Sequence, residues 1–255
     1  MSDKVAPGLQ RFGVQLFSCD PSIGMRPEGS GVFVQYQQEL FIFTVVHVLR
    51  AFRKQKLWIP LNERFVEVER PFSVTSTEDL EDENWEGSSD PNADLDAAIL
   101  HVPLPLASNY EGVRMEDTDR LIYPSDPDST AYVLIGYPGS HTEVDDEKRE
   151  VETCREPFVL LEVDPIVYSQ QNVKPWKRLL LARRRRTRLN FASGGAVWQI
   201  TLRGTIRTPF ARLVATFVDA GDYYASGARI GIHLELAQRF IAARSQLPTL
   251  VPPPV

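Results

Sequence analysis

Only two cysteines, Cys19 and Cys154, occur in 255 residues, too few for a disulfide framework or a four-thiolate zinc site. Both are expected to be reduced, buried thiols. Histidine is scarce too, at four, so any imidazole chemistry rests on very few positions. No apolar run approaches the roughly 20 residues a membrane-spanning helix requires, and the first residues, Met1 to Gly8, carry no apolar secretory core. A cytoplasmic protein without a membrane partner is expected. Internal repeats of solenoid length are lacking as well. Neither sign of charge dominates: 34 acidic against 28 basic side chains leave a net charge of -6, which argues against a general nucleic-acid coat. With 43% hydrophobic and 24% charged residues the chain sits near the globular average, which excludes wholesale disorder.

Helical periodicity is rare until the end. Short β-rich runs dominate at residues 12–17, 31–36, 40–46, 57–60, 64–69 and 97–102, punctuated by glycine, proline and polar turns such as Gln37, Gln38 and Glu39. Val66 and Val68 alternate with Glu67 and Glu69, the period of a half-buried strand. A second set follows at residues 131–136, 158–163, 195–200 and 212–218. Between the sets, residues 116–127 are rich in acid and proline and read as a linker. The acidic stretch 78–96 reads as a solvated loop, of which only Asp96 abuts a strand. Near the end, Ile232, Leu234, Leu236, Ala237, Phe240 and Ile241 form an apolar stripe opposite Glu235, Gln238 and Arg239. That pattern predicts an amphipathic helix docked on the body. The pattern as a whole predicts an all-β sandwich or pair of barrels with a closing helix.

Three segments carry candidate chemistry. They are Thr44-Val45-Val46-His47-Val48-Leu49, Asp94-Leu95-Asp96-Ala97-Ala98-Ile99-Leu100 and Asn190-Phe191-Ala192-Ser193-Gly194-Gly195-Ala196-Val197. A serine hydroxyl is a weak nucleophile near neutral pH and needs a base within hydrogen-bond reach; imidazole is the side chain whose pKa suits. A carboxylate on the other ring nitrogen fixes the tautomer and stabilises the imidazolium. Ser193, His47 and Asp96 match these roles. Asp94 competes for the third, and Asp96 is favoured because it directly precedes Ala-Ala-Ile-Leu. The two glycines after Ser193 suit a tight turn that lets a carbonyl approach.

In this order and at spacings of 49 and 97 residues, Thr-Val-Val-His resembles T-A-A-H, Asp-Ala-Ala-Ile-Leu resembles D-I-A-L-L, and Ser-Gly-Gly-Ala-Val resembles the end of G-D-S-G-G-P-V. The chain thus resembles the trypsin-like, chymotrypsin-fold serine peptidases. Gly29-Ser30-Gly31, the run Ile135-Gly136-Tyr137-Pro138-Gly139 and the segment Ser226-Gly227-Ala228-Arg229-Ile230 extend the likeness over most of the chain. The resemblance implies two packed six-stranded β-barrels, with residues 10–115 carrying His47 and Asp96. Residues 128–246 would carry Ser193 and end in a helix, and 247–255 form a Pro-rich tail. It also implies a polypeptide substrate, no cofactor and no metal. The oxyanion would be held by the backbone N–H groups of Phe191 and Ser193, and the substrate pocket would be formed near Thr187, Phe217 and Asp219.

Two departures matter. The family has glycine where this chain has Phe191, whose side chain restricts the backbone that must present its N–H. It also has aspartate, in its cleavage-activated members, where this chain has Ala192. Any activation is therefore expected to come from a protein partner or a loop rearrangement around residues 190–193. A catalytically degenerate protease fold serving as a protein-binding module is the competing reading. The basic residues Lys174, Lys177, Arg178, Arg183, Arg184, Arg185, Arg186 and Arg188 read as a solvated loop, or as a site for phosphate, an acidic protein surface or nucleic acid. His101, His141 and His233 read as surface or structural, and Trp58, Trp85, Trp176 and Trp198 as core.

Overall fold

The computed structural model describes residues 8–20, 22, 24–53, 55–61, 64–68, 72–75, 95–104, 106–121, 130–137, 142–145, 150–153, 156–162, 168, 178–183, 192–203, 208–220 and 224–246. They form an all-β body closed by one long helix, Ile230–Gln246. The first half contributes β1 (Gly13–Asp20), β2 (Gly24–Tyr36), β3 (Glu39–Thr44), β4 (Leu57–Leu61), β5 (Arg64–Val68), β6 (Phe72–Val74), β7 (Ala98–Val102) and β8 (Val113–Met115). The second contributes β9 (Thr130–Gly136), β10 (Thr142–Asp145), β11 (Glu150–Thr153), β12 (Glu156–Glu162), β13 (Arg178–Arg183), β14 (Ala196–Arg203), β15 (Thr208–Ala220) and β16 (Tyr224–Arg229).

Six of these, in the order β12-β13-β16-β15-β14-β9, close into a barrel. The other ten form a sheet in the order β10-β11-β5-β4-β1-β2-β3-β7-β6, with β8 added beside β2. Two closed six-stranded barrels were the expectation; among the described residues only the second half closes. The physical reason is at β5, whose outer edge is taken by the β10–β11 hairpin from the second half, pairing Glu150 with Arg64, and not by β6.

Burial explains why β3 reads as a continuous apolar run without alternation. Phe41, Ile42 and Phe43 are all fully buried, because the strand is covered on both faces. Phe41 meets Phe240 of the terminal helix edge-on at 6.0 Å, and Phe43 stacks on His233 of the same helix at 5.2 Å. Ile42 faces the opposite way, toward Gly31. The principal core joins both halves: Leu16, Ile42 and Ile99 of the first pack in one cluster with Ile135, Trp198 and Leu213 of the second and Leu234 of the helix. A smaller core of Tyr132, Leu134, Leu179, Leu181 and Phe217 fills the barrel.

Other expectations change. The basic run is interrupted by β13, whose Leu179, Leu180 and Leu181 are buried in the barrel wall; its apolar triplet outweighs the flanking charge. Residues 40–46 do not stay extended, since the strand ends at Thr44 and a short helix, Val46–Leu49, begins. The linker's first residues form a 3-10 turn, Asp117–Leu121, held by the Tyr36 hydroxyl donating to Asp117 and packed on the terminal helix. Cys19 is a free thiol but half-buried, on the polar end of β1, and Trp58 is likewise half-buried. Cys154, Trp85, Trp176, His141, the acidic loop 78–94, residues 122–127, Lys174, Lys177, Arg184, Arg185, Arg186, Arg188 and the tail 247–255 lie outside the described residues. No helix among the described residues is long and apolar enough to cross a membrane.

Candidate functional site

Pairing of β3 with β7 sets the first two candidates side by side. Thr44 lies opposite Ala98 in this antiparallel ladder, so the chain leaving β3 and the chain arriving at β7 meet at one end of the sheet. His47 sits on the short helix after β3, and Asp96 lies two residues before the start of β7. His47 Nδ1–H donates to Asp96 Oδ2 at 2.7 Å, and the backbone N–H of His47 donates to Asp96 Oδ1 at 3.1 Å. Both carboxylate oxygens are therefore engaged by one residue. Asp96 adopts φ 47, in the left-handed region that asparagine and aspartate tolerate best. The side chains are 33% and 15% exposed, so the imidazole faces solvent with the carboxylate beneath it. Burial alone would raise the Asp96 pKa, but the His47 hydrogen bonds and the charges of His47 and Arg178 together hold it below the ordinary value of 3.8.

Ser193 occupies a tight turn just before β14. The N–H of Gly195 donates to the Ala192 carbonyl at 2.8 Å, that of Gly194 to the Phe217 carbonyl at 2.7 Å, and that of Phe217 to the Gly195 carbonyl at 2.7 Å. Gly194 has φ +84, and a Cβ there would lie 1.9 Å from the Ser30 carbonyl oxygen and 2.4 Å from Thr44 Oγ1. Only glycine fits this approach. The turn is anchored to the first half by the N–H of Ser30, which donates to the Ser193 carbonyl at 2.7 Å. Next to it, a Cβ on Gly29 would fall 2.5 Å from Val48, the neighbour of His47, and 3.0 Å from the Ser193 carbonyl oxygen. One stretch of β2 is thus wedged between the His47 helix and the Ser193 turn, which brings the two elements to a common junction.

The hydroxyl itself points elsewhere: Ser193 Oγ–H donates to the Val218 carbonyl on β15 at 3.0 Å. The handover from serine to histidine is not formed in this arrangement, because the hydroxyl proton is already committed to a backbone acceptor. Phe217 lies with its side chain in the barrel core and serves the turn through its backbone. Asp219 is exposed and accepts a hydrogen bond from Ser226, which in turn accepts one from Arg178 at 3.3 Å. Thr187, Phe191 and Asp94 lie outside the described residues.

Sequence reasoning overlooked the polar scaffold behind the junction. Thr44 Oγ1 donates to the Ser30 carbonyl at 2.8 Å, and the N–H of Tyr137 donates to Ser30 Oγ at 3.0 Å. His233, fully buried, places Nε2–H on the Thr44 carbonyl at 2.8 Å, with Thr216 Oγ1 at 3.1 Å. Its Nδ1 lies 3.3 Å from the Arg229 carbonyl. One signal was available in the sequence, a lone histidine inside the apolar stripe of the terminal helix. Among the described residues no group of three His, Cys, Asp or Glu side chains is placed to hold a metal ion.

No known protein family's sequence profile matches the chain, and no curated protein matches it.

Proposed function

We propose that the protein is a serine endopeptidase of the trypsin-like kind, in which the open ten-stranded sheet and the closed barrel correspond to that family's two barrels. The observation that carries this reading is the doubly bonded His47–Asp96 pair, at 2.7 and 3.1 Å, next to a glycine-flanked serine turn that β2 holds against the same helix. With its Nδ1 proton on Asp96, the imidazole keeps the Nε2 lone pair as the base.

In the proposed reaction the Ser193 hydroxyl leaves Val218 and passes its proton to His47 Nε2 while Oγ attacks the peptide carbonyl carbon. The tetrahedral oxyanion is assigned to the N–H groups of Ser193 and Phe191, each such donor being worth about 10²–10³ in rate. The C–N bond then breaks and the imidazolium gives its proton to the leaving amine. Water, deprotonated by the same imidazole, hydrolyses the acyl-serine ester and regenerates the hydroxyl. Asp219, with Ser226 and Arg178 beside it, is proposed to border the substrate cleft. The setting is proposed to be cytoplasmic, where the free Cys19 thiol would stay reduced.

Fluorophosphonate labelling tests this reading, with Ser193→Ala and His47→Ala as controls. Labelling that both substitutions abolish is expected; labelling indifferent to Ser193 would sink it. A second reading, a degenerate protease fold acting as a protein-binding module, is favoured by the Ser193–Val218 hydrogen bond. It predicts no labelling of the wild-type chain, with or without candidate activating proteins.

A further inference from the structure

A groove of about 790 Å³ opens at the end of the β3–β7 ladder opposite His47 and Asp96. Leu40 pairs with Val102 at that end, four positions from the Thr44–Ala98 pair, so it lies about 13 Å from the junction along the strands. Its walls come from both halves: Phe12, Leu40 and Tyr110 from the first, Trp198 from β14, and Leu104, 82% exposed, at the rim. Its size lies within the range of small ligand sites.

Three polar features say what it would hold. Trp198 is only 2% exposed, and its indole N–H meets no acceptor among the described residues. The two lining acids are already paired: Glu39 with His101 and Arg244, and Glu111 with Arg11. The Arg114 side chain, also lining the groove, makes no hydrogen bond or ion pair among the described residues, its backbone being paired with β2. Among the charged groups that line the groove, the exposed Arg114 guanidinium is thus the one left for an incoming anion, beside apolar walls. The side-chain amides of Gln35 and Gln38, likewise without a partner among the described residues, offer both donors and acceptors beside it. That lining suits a peptide backbone and not a bare hydrocarbon chain.

We propose that this groove is a second binding site, taking a polypeptide segment that combines apolar side chains with a carboxylate directed at Arg114. The inference is independent of any activity at Ser193. It is tested by presenting the full chain to bead-bound hexapeptides with four randomised C-terminal positions, in free-carboxylate and amidated forms. Retained peptides are then titrated against tryptophan fluorescence. Apolar residues should be enriched, with a preference for a carboxylate of about tenfold or more. A terminal carboxylate as the source gives binding in the free-acid library alone, and a side-chain carboxylate gives Asp or Glu enrichment in the amidated one. Arg114→Ala, at an exposed position, should remove the preference, and Leu104→Asp should weaken binding by like-charge repulsion with the fold unchanged by circular dichroism. Equal binding of acids and amides without acidic enrichment, retention in Arg114→Ala, or saturation of the tryptophan signal by dodecanoate with no peptide response would each overturn the proposal.

Discussion

At the scale of single residues, Asp96 combines a charge and a backbone requirement that two substitutions separate. Asparagine tolerates φ 47 and preserves shape while removing the charge, whereas alanine also incurs the left-handed penalty of about 1–2 kcal/mol. In urea unfolding, Asp96→Ala should therefore be less stable than Asp96→Asn by about that amount. If hydrolysis proceeds as proposed, both should lower kcat by orders of magnitude, on the order of 10⁴ for the amide. The carboxyl is held below its ordinary value of 3.8. Its stabilisation is thus fully present above pH 3.8 and lost as pH falls through the folded value. The stability difference between wild type and Asp96→Asn should persist down to pH 3.8 and shrink only below it; a difference that fades near neutrality would contradict the assignment. Gly194→Ala combines a positive φ with contact on the Ser30 carbonyl. A loss of about 2–4 kcal/mol is expected, read as a fall in the urea midpoint.

At the scale of elements, the terminal helix does more than cover the sheet, because His233 carries a hydrogen bond from it to the Thr44 carbonyl behind the Ser193 turn. Burial lowers the His233 pKa, opposed by the carbonyls of Thr44 and Arg229 and by the charge of Asp96. A histidine whose folded pKa lies below 6.5 stabilises the fold above that pH. The contribution is lost as pH falls through 6.5 toward the folded value, by up to about 1.4 kcal/mol per pH unit. His233→Gln should flatten the acid side of the stability profile; an unchanged slope would place its origin elsewhere. Most strands and this helix were legible because β-branched and aromatic runs and the apolar stripe are local signals. The pairing of His47 with Asp96 was expected from the likeness of their flanking motifs to those of the trypsin-like peptidases. What was not legible depends on contacts distant in the chain: the hairpin β10–β11 docking on β5, the 3-10 turn at Asp117, and the Val218 carbonyl that takes the Ser193 proton. β13 was hidden for a different reason, since arginines on both sides masked Leu179, Leu180 and Leu181.

At the scale of the molecule, one core runs through both halves and the helix. The junction adds directional links. The Tyr137 hydroxyl donates to the Gly13 carbonyl at 2.8 Å, and the Tyr137 N–H reaches Ser30 Oγ. Both contacts are buried, and neither partner has water to fall back on. Halves joined in this way should unfold together. Native-state hydrogen exchange should therefore give β1 and β15 amides the same opening free energy. Tyr137→Phe, which leaves the Gly13 carbonyl without this donor, should lower both by the same about 1–3 kcal/mol. If β1 fell while β15 held its protection, the halves would be separate cooperative units. A serine carried by one half and a histidine carried by the other would then depend on a contact that opens on its own.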